Sequence, residues 1–299
     1  MEQIKFKRKK TAWREFANIA FKFFGRSLEP YVKYFESIKP DLLMANLDIG
    51  FVEYVYAAVF VTFMIFLFEL PLLAVIFSIL FKNALLGFLL SFTITSFITL
   101  GIFFFFYTYP SIEAGRRQKA IEAYLPFATT YMATVSSGGS PPISMFKLLA
   151  GLKTFGELSK ESEKIYRDVE AFGMDILSAI RKTASRTPSP MFKELLWGLD
   201  TVISSGSNIS EYLRGKSRSY LQEYKRRLQA YSSLMSLLME VYLTVILVGS
   251  IFFVIMTAIM SIFGGTSAGS ILMIQFLVVF MGLPFVSIGF IFLLKGLAP

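Results

Sequence analysis

Ser136-Ser137-Gly138-Gly139-Ser140-Pro141-Pro142-Ile143 ends one helix and begins another. The phrase returns twice, as Gly173-Met174-Asp175-Ile176 and as Ser204-Ser205-Gly206-Ser207-Asn208-Ile209. Glycine stops a helix because it enters left-handed conformations at no steric cost, while Ser, Asp and Asn start one by accepting from free backbone amides. Each copy hands over to an amphipathic run opened by isoleucine. No period-two alternation lies between the copies, so the block 111–239 reads as all-α. Two origins fit the recurrence: internal duplication of a three-helix unit, or the punctuation that any helical bundle shares.

The block reads as six helices. The first is Gly115 to Ser137, apolar at Tyr124, Leu125, Ala128, Met132 and Val135, with Pro126 inside it. Ser140 is expected to cap the second, with Pro141 at its first position. The third, Glu157 to Phe172, carries alternating charge. Asp175 opens a fourth that ends near Arg186; Ser189-Pro190 opens a fifth that Gly206 closes. Asn208 caps the sixth, whose periodicity passes from Ile209 through Leu221, Leu228 and Leu234 into an apolar span without a break.

Outward from the block the chain turns apolar. It is 299 residues long and 55% hydrophobic, with 33 Phe and a mean hydropathy of +0.59. That balance belongs to a polytopic membrane protein. A bilayer core about 30 Å thick needs about 20 apolar residues in a helix. Four stretches satisfy this: 54–80, 84–107, 241–263 and 271–294. Lys82-Asn83 turns the first pair and Gly264 to Gly269 the second. Pro71 and Pro284 fall inside spans, where neighbouring helices can satisfy freed carbonyls.

Basic residues set the orientation. Of 30 Lys and Arg, 29 lie on one side of the four spans and Lys82 alone on the other. Arg116, Arg117 and Lys119 follow span two closely, and Lys225, Arg226 and Arg227 precede span three, where such charges count most. The expected product is a multi-pass cell-membrane protein with both termini and the central domain cytoplasmic. Its divisions are a basic N-terminal segment (1–50), a transmembrane hairpin (51–110), the helical block (111–239) and a second hairpin (240–299). In the first, Trp13, Phe16, Ala17, Ala20, Phe23 and Phe24 fall at helical spacing with Arg14, Lys22 and Arg26 between them. Such a helix suits an anionic leaflet, at about 1 kcal/mol per basic group, or the surface of the protein's own block. Pro40-Asp41 opens a short lead-in helix.

Much chemistry is excluded. The chain has no Cys and no His, which removes disulfides, thiol nucleophiles, the usual general base and the commonest metal ligand. Gly215-Lys216-Ser217 has the tail of a phosphate-binding loop, but Ser210 stands where its first glycine belongs, and no strand precedes it. No enzyme, cofactor or metal site is expected. The net charge of +9 needs no nucleic-acid partner, since one-sided topology accounts for it. Glu69 is the clear ionisable residue within a span, either a coupling carboxylate or a group bonded to a neighbouring helix.

Several pieces together resemble one family. Tyr124-Leu125-Pro126-Phe127 enters a helix ending Ser136-Ser137-Gly138-Gly139; Ile143 to Leu149 follows, then Gly173 to Ile180, then Ile203 to Leu213. Their order and flanking spans are similar to the type II secretion system F family, the platform proteins of type II secretion, type IV pili and archaella. The likeness covers about residues 120 to 260, with an archaeal-style lead-in helix.

The resemblance implies a cytoplasmic helical bundle seated on a hexameric secretion ATPase, and a membrane part that passes pilin-like subunits into a filament. It implies one such domain where much of the family has two, hence a homodimer or a heterodimer with a related platform chain in the lipid bilayer. It brings no catalytic residues. Arg116, Arg117, Lys119, Arg214, Lys216 and Arg218 are the cations expected to face the ATPase or lipid headgroups, unless they are simply solvated. The rival reading is a transporter or permease subunit with a cytoplasmic regulatory domain.

Overall fold

The computed structural model describes residues 30, 32–47, 49–263, 273 and 276–297. The amphipathic run 13–26, the turn 264–269 and the start of the fourth span lie outside them. Within them the chain is helical and contains no strand. The helices are α1 (Ile38–Ala45), α2 (Phe51–Phe81), α3 (Ala84–Ser137), α4 (Pro142–Gly151), α5 (Glu157–Glu170), α6 (Ile176–Ala184), α7 (Pro190–Ser204), α8 (Ile209–Phe263) and α9 (Leu283–Leu297). A π-helical stretch, Val278–Gly282, precedes α9. Four helical stretches are long and apolar enough to cross a membrane: Phe51–Phe81, Ala84–Ser137, Ile209–Met260 and Val278–Gly296.

The local signals explain most boundaries. Gly139, Gly173 and Gly206 take φ of 71°, 64° and 68°, so each copy of the recurring phrase closes in the left-handed region. Asp175 accepts from the amides of Leu177 and Ser178, Ser189 from Phe192, and Asn208 from Glu211. Lys82 closes α2 at φ 50°, and the Asn83 side chain opens α3 by accepting from Leu85 and Leu86. Small shifts occur elsewhere. Pro141, not Ser140, occupies the cap of α4, which leaves Pro142 as its first residue. Helix α1 begins at Ile38, ahead of Pro40, which fits in the first turn where its missing N–H is not needed.

One expectation fails outright. Span two and the first helix of the block, read as separate at 84–107 and 115–137, are a single helix of 54 residues, α3. Pro110 lies inside it. Proline removes the donor that would bond the carbonyl four residues back, here that of Phe106. The Tyr54 hydroxyl donates to that carbonyl at 2.8 Å from α2. Tyr54 itself is buried. A hydroxyl from the neighbouring helix thus replaces the missing amide, and the helix continues.

The chain divides into two compact units, Met1–Tyr220 and Leu221–Pro299. In the first, α2 and α3 pair as a hairpin. Near its tip a Cβ on Gly87 would lie 2.5 Å from the backbone nitrogen of Ser78, so only glycine allows this approach. Beyond the hairpin, six helices feed one apolar core. It includes Ile121, Leu125 and Met132 from α3, Phe146 from α4, Ile165 from α5, Ile180 from α6, Phe192 and Leu196 from α7, and Leu213 from α8, all buried. In the second unit Tyr242 of α8 stacks on Phe290 of α9 at 4.3 Å and shares a 2.9 Å hydrogen bond with Ser287.

The Phe106 carbonyl yields a test. Tyr54→Phe keeps the ring but removes this part-buried hydrogen bond, and is expected to destabilise the protein by about 0.5–1.5 kcal/mol. Thermal unfolding in detergent micelles measures this.

Candidate functional site

The six cations singled out from the sequence occupy different environments. Arg116 is exposed and forms a two-pronged pair with Glu113, at 2.9 and 2.6 Å. That hydrogen bond, and then the charge of Glu113, raises its pKa above the ordinary arginine value. Lys119 and Arg218 are exposed. Arg214 donates to the Ser137 hydroxyl at 2.9 Å, and Lys216 pairs with Glu194. Ser217 of α8 meets Thr130 of α3 at 2.7 Å, whereas Arg116 and Lys119 sit 11 to 14 residues earlier in α3. At 1.5 Å per residue the two groups lie on the order of 20 Å apart along the helix. They form two surfaces, not one. The phosphate-loop-like tail is also accounted for: Lys216 and Ser217 are helical and bonded to side chains of α7 and α3.

Arg117 departs from expectation. Its side chain is only 6% exposed, so it is not a surface cation. Each guanidinium nitrogen has its own acceptor. Nε donates to Glu157 at 2.8 Å, Nη2 to Glu161 at 2.5 Å, and Nη1 to the carbonyl of Met44. Glu157 and Glu161 are four apart on α5, hence on one face. Met44 lies in the last turn of α1, where carbonyls lack helical partners and a cation is favoured. Lys164 reinforces the joint, bonding Glu161 at 2.8 Å and the Asn46 side chain at 2.6 Å. Asn46 is the left-handed residue that ends α1. One arginine therefore clamps α1 and α5 to α3.

Sequence reasoning missed the two glutamates as a receptor for Arg117. Their spacing was the available signal, but alternating charge on a helix reads first as a solvated face. Burial raises the Glu157 pKa, and hydrogen bonds from Lys160 and Arg117 outweigh it, so the net direction is downward. Two tyrosines hold α8 to α7: Tyr212 donates to the Leu195 carbonyl at 3.2 Å and Tyr220 to that of Met191 at 2.9 Å. Burial pushes the Tyr212 hydroxyl up to about 12, with Glu194 adding to it.

Glu69 is half-buried in α2, and its Oε2 is buried without a hydrogen-bond partner among the described residues; so are the Thr95 and Thr99 hydroxyls of α3. Among the described residues no group of three or more Asp and Glu is arranged to hold a metal ion.

The class is now defined: an all-helical membrane protein with four apolar helices of spanning length and a separate helical core. The family model of type II secretion system (T2SS), protein F, matches residues 128–257. The match covers 130 of the 299 residues, so the likeness to that family is to this one domain. It is 27% identical over 150 residues to an uncharacterized protein of Methanocaldococcus jannaschii, covering 50% of this chain and 25% of the relative. It is 30% identical over 117 residues to flagella accessory protein J of Methanococcus voltae, and equally to that of M. jannaschii, covering 39% of this chain and 21% of each relative. The alignments thus span a quarter or less of these relatives' length. No solved structure matches the chain.

Two outcomes follow from the clamp. Arg117→Ala removes three hydrogen bonds from the joint and leaves the buried Glu161 with Lys164 alone, and is expected to cost about 3 kcal/mol. Arg116→Ala, at an exposed pair, is expected to leave the unfolding midpoint unchanged. For Glu157, a folded pKa below the unfolded value means that its stabilisation is complete above about 4.5 and is lost as pH falls through the lower folded value. Acid titration of the unfolding midpoint should show this loss, and Glu157→Gln should remove that component.

Proposed function

We propose that this chain is an integral-membrane platform protein of a type IV pilus-like, archaellum or type II secretion assembly machine. In this reading residues 111–239 form a cytoplasmic six-helix bundle that seats on a hexameric secretion ATPase. The hairpins 51–110 and 240–299 lie in the cell membrane, both termini face the cytoplasm, and the membrane helices receive pilin-like subunits. A second copy or a related platform chain completes the assembly. The basic segment 1–50 stands on the same side.

The observation that carries the reading is α3. Within one compact unit it runs unbroken from the apolar hairpin into the helical core, past a proline whose orphan carbonyl is bonded by Tyr54. A load applied to the core passes to the apolar hairpin through a hydrogen-bonded rod. That suits an element that relays motion produced by another protein. The type II secretion system protein F domain, the likeness to flagella accessory protein J and the one-sided distribution of Lys and Arg support the same reading.

Surface cations are the proposed contacts: Arg116 and Lys119 on one part of α3, and Arg214, Lys216 and Arg218 on the start of α8. Arg117 is withdrawn from the set because its guanidinium is saturated inside. The full chain in detergent is expected to co-purify with a hexameric secretion ATPase. Reversing Arg214 and Arg218 to Glu is expected to weaken that complex about tenfold at low salt and less at high salt, where exposed charges are screened. Absence of an ATPase complex, together with solute uptake by vesicles containing the chain, would instead establish the permease reading.

A further inference from the structure

A cleft of about 390 Å³ opens in the first unit between α1, the start of α2, and the helices α5 and α6. Five cations line it, Lys39, Lys164, Arg167, Lys182 and Arg186, against two carboxylates, Glu161 and Asp168. The carboxylates are already occupied. Glu161 accepts from Arg117 and Lys164, and Asp168 accepts from Lys182 at 2.6 Å. Lys39, Arg167 and Arg186 are left with no carboxylate among the described residues.

Arg167 is the most telling of the three. It is half-buried, and its Nε is shielded from solvent without an acceptor among the described residues. A guanidinium so placed has lost hydration on one edge and keeps its remaining donors for whatever enters the cleft. Its planar fork matches the oxygens of a phosphate. Apolar residues of α1 and of the entry to α2 line the same cleft, Leu42, Leu43, Ile49 and Phe51. Phe51 is also the first residue of a helix long and apolar enough to cross a membrane. Cations and apolar side chains lining one cleft, at the start of an apolar helix of spanning length, have the composition of a headgroup pocket.

We propose that this cleft binds a phosphate-bearing anion through Arg167, with Arg186 and Lys39 completing the charge. An anionic phospholipid headgroup and free inorganic phosphate share that chemistry. Binding ties α1 to α5 and α6 beside the Arg117 clamp. The inference does not depend on the platform reading, since it rests on the residues of one cleft.

The test uses the full chain. In one arm, nanodiscs of phosphatidylcholine alone are compared with nanodiscs containing phosphatidylglycerol, and bound lipid is read by native mass spectrometry. In the other, the detergent-solubilised protein is titrated with inorganic phosphate against chloride at equal ionic strength. Retention of phosphatidylglycerol identifies the lipid source, and saturable phosphate binding identifies the free anion; either supports the site. Arg167→Gln and the exposed Arg186→Gln are each expected to weaken binding about tenfold, as the loss of one charge-assisted hydrogen bond requires. Arg218→Gln, outside the cleft, should bind as the parent does. Their unfolding midpoints without anion report folding independently. Binding of neither probe above its control would overturn the proposal, as would undiminished binding by folded Arg167→Gln and Arg186→Gln proteins.

Discussion

A buried guanidinium holds this protein's first unit together. Arg117 bonds two carboxylates of α5 and a carbonyl at the end of α1, so three segments from distant parts of the chain meet at one charge. A buried charge tolerates little displacement, because moving any partner leaves an ion without solvent or counter-ion. Apolar packing alone would let these helices slide. The clamp fixes how the lead-in to the membrane sits against the helical core, and the cationic cleft owes its shape to that placement.

The same unit keeps α3 whole through a different device. Pro110 would ordinarily end or bend a helix, yet the carbonyl it orphans is bonded by Tyr54 from the adjacent span. The hydrogen bond is modest, and it satisfies a part-buried carbonyl whose helical amide the proline has removed. Continuity across this point joins the helical core to the apolar hairpin within one compact unit. In the proposed platform role this helix would be the mechanical link between the core and the hairpin, with the proline position supported by the Tyr54 hydrogen bond.

The likeness of residues 128–257 to the type II secretion system protein F domain accords with this arrangement. Several polar residues around the core serve as caps, tyrosine anchors and ion pairs. Those tyrosines and the Glu157 pair differ in kind. The tyrosines are buried neutral groups that favour the protonated form, whereas Glu157 is held charged by its cations. The first unit therefore loses stabilising contacts at both extremes of pH, for opposite reasons.

Periodicity and punctuation, which are local properties, made the helices, the four apolar stretches and the left-handed glycines legible from the residues alone. Gly139, Gly173 and Gly206 could be assigned because a helix end is decided within a few residues of itself. Arg117 could not, since its acceptors lie 40, 44 and 73 positions away. Beside Arg116 in sequence it looked like a second surface cation; folding placed one in solvent and the other among carboxylates. Pro110 was equally opaque, as the Phe106 carbonyl that loses its amide to it is bonded by Tyr54, 52 positions before Phe106. Burial and pairing are set by what the chain brings together, and no reading of neighbours along it contains that information.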